Sequence, residues 1–177
     1  QKELILKQTS DISRNIDHYL SRARTFGTEK ILGSRADVMS TVKDLVFAMQ
    51  RLHQQCGLEY DLSALEACAF RGEGQDLEEM VGNLMDNACK WADSQVLISG
   101  VVKDGRLLLT VDDDGPGVPG DEVQNVMRRG HKLDESKPGH GQGLGIVNDI
   151  AGLYGGSLTL SRNSMGGLRA ELDLPAT

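Results

Sequence analysis

The chain carries three short motifs in fixed order: Asn83-Leu84-Met85-Asp86-Asn87-Ala88, then Asp113-Asp114-Gly115-Pro116-Gly117, and finally Gly141-Gln142-Gly143-Leu144-Gly145. Each motif alone is a weak signal, because polar helix faces, Asp-Gly-Pro-Gly turns and glycine-rich helix entries are common. Together they supply an amide pair on a helix, a carboxylate on a glycine turn and a loop that opens another helix. A nucleotide site needs these parts.

The pattern around the motifs predicts an α+β fold, with helices over one face of a mixed, mostly antiparallel sheet. Helices are expected from near Ser34 to an end at Gly57, over 76–91 and over 142–154, and Ser34 is expected to cap the first, with Asp37 three residues on, close to a capping box. Strands are expected at 58–62, 67–70, 96–102, 106–111, 157–161 and 168–174, with an Asp104-Gly105 turn between the third and fourth. No βαβ series is present, which argues against the P-loop and Rossmann interpretations.

Residues 1–27 predict a separate amphipathic helix, whose apolar stripe includes Ile5, Ile12 and Ile16. A helix this polar is expected to bury that stripe against a partner helix. We therefore expect two parts, residues 1–27 and residues 34–177, joined by a short linker after Gly27.

Composition excludes several classes of protein. The net charge of -7 over 177 residues argues against a general nucleic-acid surface. The three cysteines lack a CxxC pair, so neither a disulfide framework nor a zinc site is indicated. No apolar run approaches the roughly 20 residues of a membrane span, and the piece is expected to be soluble.

The first motif places polar side chains on one face of its helix. Asn83 and Asn87 lie one turn apart, so their amide oxygens can face a hard cation such as Mg²⁺. Lys90 follows as a point charge for phosphate. The alternative is a solvated polar helix face, which is the better interpretation of this motif taken alone.

The second motif follows a hydrophobic strand. A carboxylate at Asp113 can accept a hydrogen bond from an exocyclic amine and thereby select adenine over guanine, while Gly115 and Gly117 let the backbone approach the base. The alternative is an ordinary Asp-Gly-Pro-Gly turn.

The third motif and the segment before it suit phosphate. Gly141, Gly143 and Gly145 stand at the start of a helix, where unpaired N–H groups and the helix dipole favour anions. Lys132 and Lys137 are typical of a lid that closes over phosphate charge, although a solvated basic patch explains most such runs.

Taken in order, the motifs resemble the N, G1 and G2 boxes of the GHKL (Bergerat) ATP-binding fold, which sensor histidine kinases, gyrase, Hsp90 and MutL share. The resemblance covers roughly residues 34–175. The segments "GNLMDNACKWA" and "RGHKLDESKPGHGQGLGIV" most resemble the corresponding segments of PhoQ-type bacterial sensor kinases. It implies a two-layer α/β sandwich with ATP and Mg²⁺ as cofactors.

The resemblance also implies a role for each matching residue. Asn83 and Asn87 would hold Mg²⁺, Asp113 would bind the adenine amine and Trp91 would lie beside the base. The rest of the implied nucleotide-binding set comprises Lys90, Lys132 and Lys137 on phosphate, with Gly115, Gly117, Gly141, Gly143, Leu144 and Gly145. His140 occupies a position where related kinases have a glutamine near Mg²⁺, and its role stays open.

One position separates kinases from hydrolases in this superfamily. Gyrase-like and Hsp90-like hydrolases carry a water-activating glutamate where this chain has Asn83, and an amide cannot act as a general base. Phosphoryl transfer to a protein nucleophile is therefore favoured over self-contained hydrolysis.

The expected nucleophile is a histidine that this chain lacks. His18 stands in "NIDHYLSRAR" without the neighbours of an H-box, and residues 1–27 resemble the second helix of the dimerisation and phosphotransfer hairpin. We expect a fragment of an inner-membrane sensor kinase, with this domain cytoplasmic. The parent would be a homodimer that serves a response regulator receiver domain, and the fragment a monomer or a dimer. The alternatives are a GHKL ATPase and a degenerate interaction module that binds no nucleotide.

Overall fold

The computed structural model describes residues 34–120 and 143–177, which belong to one compact unit, Ser34–Thr177. The helix expected over residues 1–27 lies outside the described residues. So do Lys132, Lys137, His140 and Gly141.

Three helices and seven strands make up the part of the chain that is described. None of these helices combines the length and apolar character needed to cross a membrane. The helices are α1 (Val38–Leu52), α2 (Gly74–Trp91) and α3 (Gly143–Leu153), with a 3-10 turn at Gln54–Cys56. The strands are β1 (Ala36–Asp37), β2 (Glu59–Asp61), β3 (Ala69–Phe70), β4 (Gln95–Lys103), β5 (Arg106–Asp113), β6 (Ser157–Arg162) and β7 (Leu168–Pro175).

Five of the strands form one sheet in the order β2-β4-β5-β7-β6. Neighbouring strands are antiparallel except β2, which runs parallel to β4. The β4–β5 hairpin turns at Asp104 (φ 52) and Gly105 (φ 73), both left-handed as a tight hairpin turn requires. The prediction of a mixed, mostly antiparallel sheet is confirmed, and β1 and β3 add a two-stranded sheet that was not predicted.

One face of the large sheet lies beneath the helices. Alternate residues of its central strands are buried, as the period of two in a strand requires: Val96, Ile98, Leu107, Leu109, Val111, Ala170, Leu172 and Leu174. Helix α2 contacts α1, α3 and β5 and buries Leu77, Met80, Leu84, Met85 and Ala88. Each large apolar side chain buried in this way contributes about 1.5–3 kcal/mol to the stability of the fold. This packing therefore holds α2 in place and positions the polar residues on its other face.

The start of α1 differs from the prediction. Asp37, not Ser34, is the N-cap: its backbone is extended and its Oδ1 accepts a hydrogen bond from the Ser40 N–H at 2.6 Å. The Ser34 hydroxyl instead donates to Glu73 Oε1, 39 positions along the chain. The capping box centred on Ser34 is therefore wrong, because a tertiary contact takes the side chain that would have capped the helix.

Candidate nucleotide-binding site

Asp113 ends β5 and is only 2% exposed. Its Oδ1 accepts hydrogen bonds from the N–H groups of Gly115 at 2.9 Å and Leu168 at 3.2 Å. No donor in residues 34–120 and 143–177 bonds its Oδ2. Burial raises the pKa of Asp113, the two N–H groups oppose that rise, and the neighbouring Asp114 and Asp112 add to it. One oxygen of this carboxyl group is thus held by the fold, and the other has no partner among the described residues.

Gly115 brings the aspartate turn into direct contact with the end of α2. A Cβ at this position would lie 2.2 Å from the carbonyl oxygen of Trp91 and 3.0 Å from Asp113 Oδ1. No side chain can be accommodated at that distance from a backbone atom, so glycine is required here. The structure therefore brings together Trp91, Asp113 and Gly115, three of the residues expected to bind the nucleotide.

Gly117 lies against the turn between β6 and β7. Its φ of +74 is in the left-handed region, and an added Cβ would lie 2.9 Å from the carbonyl oxygen of Gly166. The glycine turn is thus packed between the end of α2 on one side and the β6–β7 turn on the other.

Asn163 holds the β6–β7 turn against Asp113. Its Nδ2 donates to the backbone oxygens of Asp113 at 2.8 Å and Leu168 at 3.0 Å. Its Oδ1 accepts from the N–H groups of Met165 and Gly167, both at 3.0 Å. These bonds fix the segment that presents the Leu168 N–H to the Asp113 carboxyl group.

Asp114 binds the connection between α2 and β4. Its Oδ1 accepts from the consecutive N–H groups of Asp93, Ser94 and Gln95 at 2.9, 3.0 and 3.1 Å. Its Oδ2 accepts from the Ser94 hydroxyl at 2.5 Å and the Ser94 N–H at 3.1 Å. Burial alone would raise the pKa of Asp114, but these hydrogen bonds outweigh it and lower the pKa to about 2. The carboxylate is therefore ionised throughout the neutral range.

Asp112 completes a run of three carboxyl groups with three different partners. It is 1% exposed and forms a two-pronged ion pair with Arg169, with both N–O distances 2.9 Å. The roles of Asp112, Asp114 and Asn163 were not predicted from the sequence. The one available signal was three successive aspartates at the end of a hydrophobic strand, since buried carboxylates require partners.

The amide helix and the glycine loop meet at Asn83. Its Nδ2 donates to the backbone oxygen of Glu79 at 2.7 Å, so its Oδ1 is the atom that can accept or coordinate. A Cβ on Gly143, the first described residue of α3, would lie 3.1 Å from that Oδ1. Asn87 follows one turn later and is half-buried. The first and third motifs are therefore adjacent in the fold.

Lys90 is paired with an acidic neighbour on the same helix. Its Nζ lies 2.5 Å from Asp86 Oδ2, and Asp86 Oδ1 lies 3.9 Å from His53 Nε2 at the end of α1. A phosphate contact by Lys90 would thus compete with Asp86. The pairing also holds the ammonium group on the polar side of α2.

Leu144 and Gly145 lie in the first turn of α3, and both are buried. The Leu144 side chain belongs to the core, so any contact with a ligand would come from its backbone. Gly143, where the described part of α3 begins, lies beside the Asn83 side-chain oxygen.

Comparison with known proteins gives the class of the chain. The family model described as histidine kinase-, DNA gyrase B-, and HSP90-like ATPase matches residues 72–177. This range contains α2, the Asp113 turn and α3. The chain belongs to this family of ATPases, and the predicted GHKL resemblance is confirmed.

Within the family, the chain is similar to sensor kinases. The chain is 39% identical over 174 residues to the sensor protein kinase CarS of Pseudomonas aeruginosa, a match covering 98% of this chain and 39% of CarS. It is 34% identical over 170 residues to the virulence sensor histidine kinase PhoQ of Salmonella typhimurium, covering 96% of this chain and 35% of PhoQ. The chain thus spans less than half of these curated relatives, and the predicted resemblance to PhoQ-type kinases is confirmed.

Solved structures agree with this placement. The mycobacterial sensor histidine kinase MprB matches with a TM-score of 0.73 at 25% identity, over 81% of this chain and 97% of that one. The ATP binding domain of PrrB from Mycobacterium tuberculosis matches with a TM-score of 0.68 at 28% identity, over 81% of this chain and 96% of that one. The fold is that of histidine kinase catalytic domains.

Proposed function

We propose that residues 34–177 bind Mg·ATP and donate its γ-phosphoryl group to a histidine of the parent sensor kinase, for relay to a response regulator. The observation that carries the proposal is the state of the Asp113 carboxyl group. Two backbone N–H groups hold Oδ1, while Oδ2 has no partner among the described residues and lies in a turn packed against the end of α2. An exocyclic amine such as that of adenine would supply the missing donor.

The amide pair suits a hard cation between the protein and the phosphates. Asn83 Oδ1 is oriented by the bond from Nδ2 to Glu79, and Asn87 lies one turn further along the same face. No group of three His, Cys, Asp or Glu side chains in residues 34–120 and 143–177 could hold a metal ion. Mg²⁺ bound here would take its other ligands from phosphate and water, as it commonly does, and would neutralise phosphate charge.

Transfer rather than hydrolysis is supported by the chemistry of Asn83. Its amide nitrogen is already bonded to the helix backbone, and an amide cannot remove a proton from water at neutral pH. The chain would contribute positioning of the nucleotide and stabilisation of charge, which account for most of the catalysis in phosphoryl transfer. The proposed phosphate-binding set adds Lys90, Lys132, Lys137, Gly141, Gly143 and Gly145.

The proposal extends to the organisation of the parent protein. Residues 1–27 would be the second helix of a dimerisation and phosphotransfer hairpin, and residues 34–177 the catalytic domain. The similarity to PhoQ, whose name describes a sensor histidine kinase, supports a sensor kinase as the parent, which we propose to be an inner-membrane protein with this domain on the cytoplasmic side. It also supports a receiver domain as the partner that accepts the phosphoryl group.

Phosphotransfer in trans tests the proposal. The 177-residue chain is mixed with Mg²⁺, ATP labelled on the γ-phosphate and a purified hairpin of the parent kinase that carries the phosphoacceptor histidine. We expect acid-labile label on the hairpin and little release of phosphate without it. Steady ATP turnover in the absence of the hairpin would instead support a GHKL hydrolase.

A further inference from the structure

Asp114 forms more hydrogen bonds than a residue of an ordinary surface turn. The β4–β5 ladder ends at the Val96–Asp113 pair. Beyond that pair, the Asp114 carboxylate accepts the N–H groups of Asp93, Ser94 and Gln95 in place of a backbone carbonyl. Three successive N–H groups around one oxygen form an anion-binding concavity of the kind that holds phosphate in other proteins. Here the anion is part of the chain.

These bonds connect the two sides of the proposed adenine site. Asp114 follows Asp113 directly, and Asp93 follows Trp91 after a single residue, Ala92, where α2 ends. Hydrogen bonds to this carboxylate therefore hold the residue after Asp113 against the backbone that directly follows Trp91. The close approach of Gly115 to the Trp91 carbonyl oxygen joins the same two segments a second time.

We propose that Asp114 is a positioning residue that fixes the separation of Asp113 and Trp91 and so determines the preference for adenine over guanine. It acts through Asp113 and does not itself touch the base. A site built to pair with a polar group discriminates strongly only when its donor or acceptor is held in place. The inference rests on the proposed function, since it presumes that adenine binds between Asp113 and Trp91.

The test compares ATP and GTP affinities of Asp114→Ala and Asp114→Asn with those of the unaltered 177-residue chain. Asp37→Ala is the matched control, because it also removes an aspartate that accepts a backbone N–H, but at the cap of α1. Titration calorimetry gives Kd for each nucleotide, and thermal unfolding gives the folded fraction.

We expect Asp114→Ala to weaken ATP binding by about tenfold or more, equivalent to about 1.4 kcal/mol, and to reduce the ratio of GTP to ATP Kd by a similar factor. Asp114→Asn should recover most of both, because its amide oxygen can still accept the backbone N–H groups. Asp37→Ala should lower the melting temperature and leave the nucleotide preference unchanged. The recovery in Asp114→Asn and the changed preference for ATP over GTP distinguish a positioning role from a purely structural one.

Unchanged ATP affinity and preference in folded Asp114→Ala would overturn the inference. So would an equal loss of both nucleotides, because that result indicates a structural role alone. If Asp114→Ala does not fold, Ser94→Ala replaces it in the test, because this change removes only the hydroxyl bond to Asp114 Oδ2. We then expect a smaller fall in the preference for ATP over GTP, and no fall would refute the inference. Loss of ATP binding in Asp113→Asn with full binding in Asp114→Ala would refute this inference alone, whereas no ATP binding by the unaltered chain would refute the proposed function as well.

Discussion

Replacing Asp113 by asparagine is expected to lower the affinity for ATP without lowering the stability of the fold. The asparagine Oδ1 can still accept the N–H groups of Gly115 and Leu168, so the turn keeps its internal bonds. The new Nδ2 would occupy the position of Oδ2 and present a donor to the adenine amine. The site loses one hydrogen bond to a charged acceptor, about 1.5–3 kcal/mol, which corresponds to a rise of about 10- to 150-fold in Kd.

The effect on stability has the opposite sign. Burial raises the pKa of Asp113 above its ordinary value of 3.8, so the folded chain binds this proton more tightly than the unfolded chain does. The contribution of Asp113 to the free energy of unfolding therefore falls as the pH rises from 3.8 through the raised pKa, and stays at its lower value above that range. At neutral pH the buried charge of Asp113 therefore lowers the free energy of unfolding. Asp113→Asn removes this charge and should be at least as stable as the unaltered chain at neutral pH.

Calorimetric titration with Mg·ATP and urea unfolding at several pH values measure the two effects. Asp44→Asn makes the same change of charge at an exposed position of α1 and should alter neither quantity. The reasoning is refuted if Asp113→Asn binds ATP as tightly as the unaltered chain. It is also refuted if the variant unfolds at clearly lower urea at neutral pH, because the turn would then depend on the charge itself.

Two glycine substitutions should have different consequences. Gly115→Ala places a Cβ 2.2 Å from the Trp91 carbonyl oxygen, so thermal unfolding should show a loss of about 1–3 kcal/mol or more. Gly120→Ala, whose Cβ has no atom of the described residues within 4 Å, should be neutral, and equal stability of the two variants would contradict this. A Cβ in Gly143→Ala lies 3.1 Å from the Asn83 side-chain oxygen, the nearest atom among the described residues. This change should weaken Mg·ATP binding in calorimetry with little change in melting temperature, and unchanged binding would argue against a role for that oxygen.

Features of the fold that depend on neighbouring residues were predictable from the sequence. The 76–91 helix, the Asp104-Gly105 turn and the alternation along β5 and β7 all follow from spacings of two to four residues. The N-cap of α1 was not predictable in this way. Its assignment depended on whether Ser34 would be engaged by Glu73, and that contact forms only when the chain has folded.

The candidate site shows the same division. The order of the motifs indicated Asp113, Gly115 and Asn83, and the structure places Gly115 against Trp91 and Gly143 against Asn83. The residues that hold this arrangement have partners far along the chain: Asp114 bonds Ser94, 20 positions away, and Asn163 bonds the Asp113 carbonyl oxygen, 50 positions away. Patterns of neighbouring residues in the sequence do not predict hydrogen bonds between residues this far apart.

The most direct test of the central claim is the equilibrium binding of nucleotides to the unaltered 177-residue chain. Fluorescence of Trp91, the single tryptophan, can be followed during titration with ATP and with GTP, each with Mg²⁺ and again with excess chelator. The three motifs predict saturable one-to-one binding of ATP, weaker binding of GTP and a loss of ATP affinity when Mg²⁺ is removed. Absence of binding by any adenine nucleotide, confirmed by calorimetry, would contradict the account and favour an interaction module that binds no nucleotide.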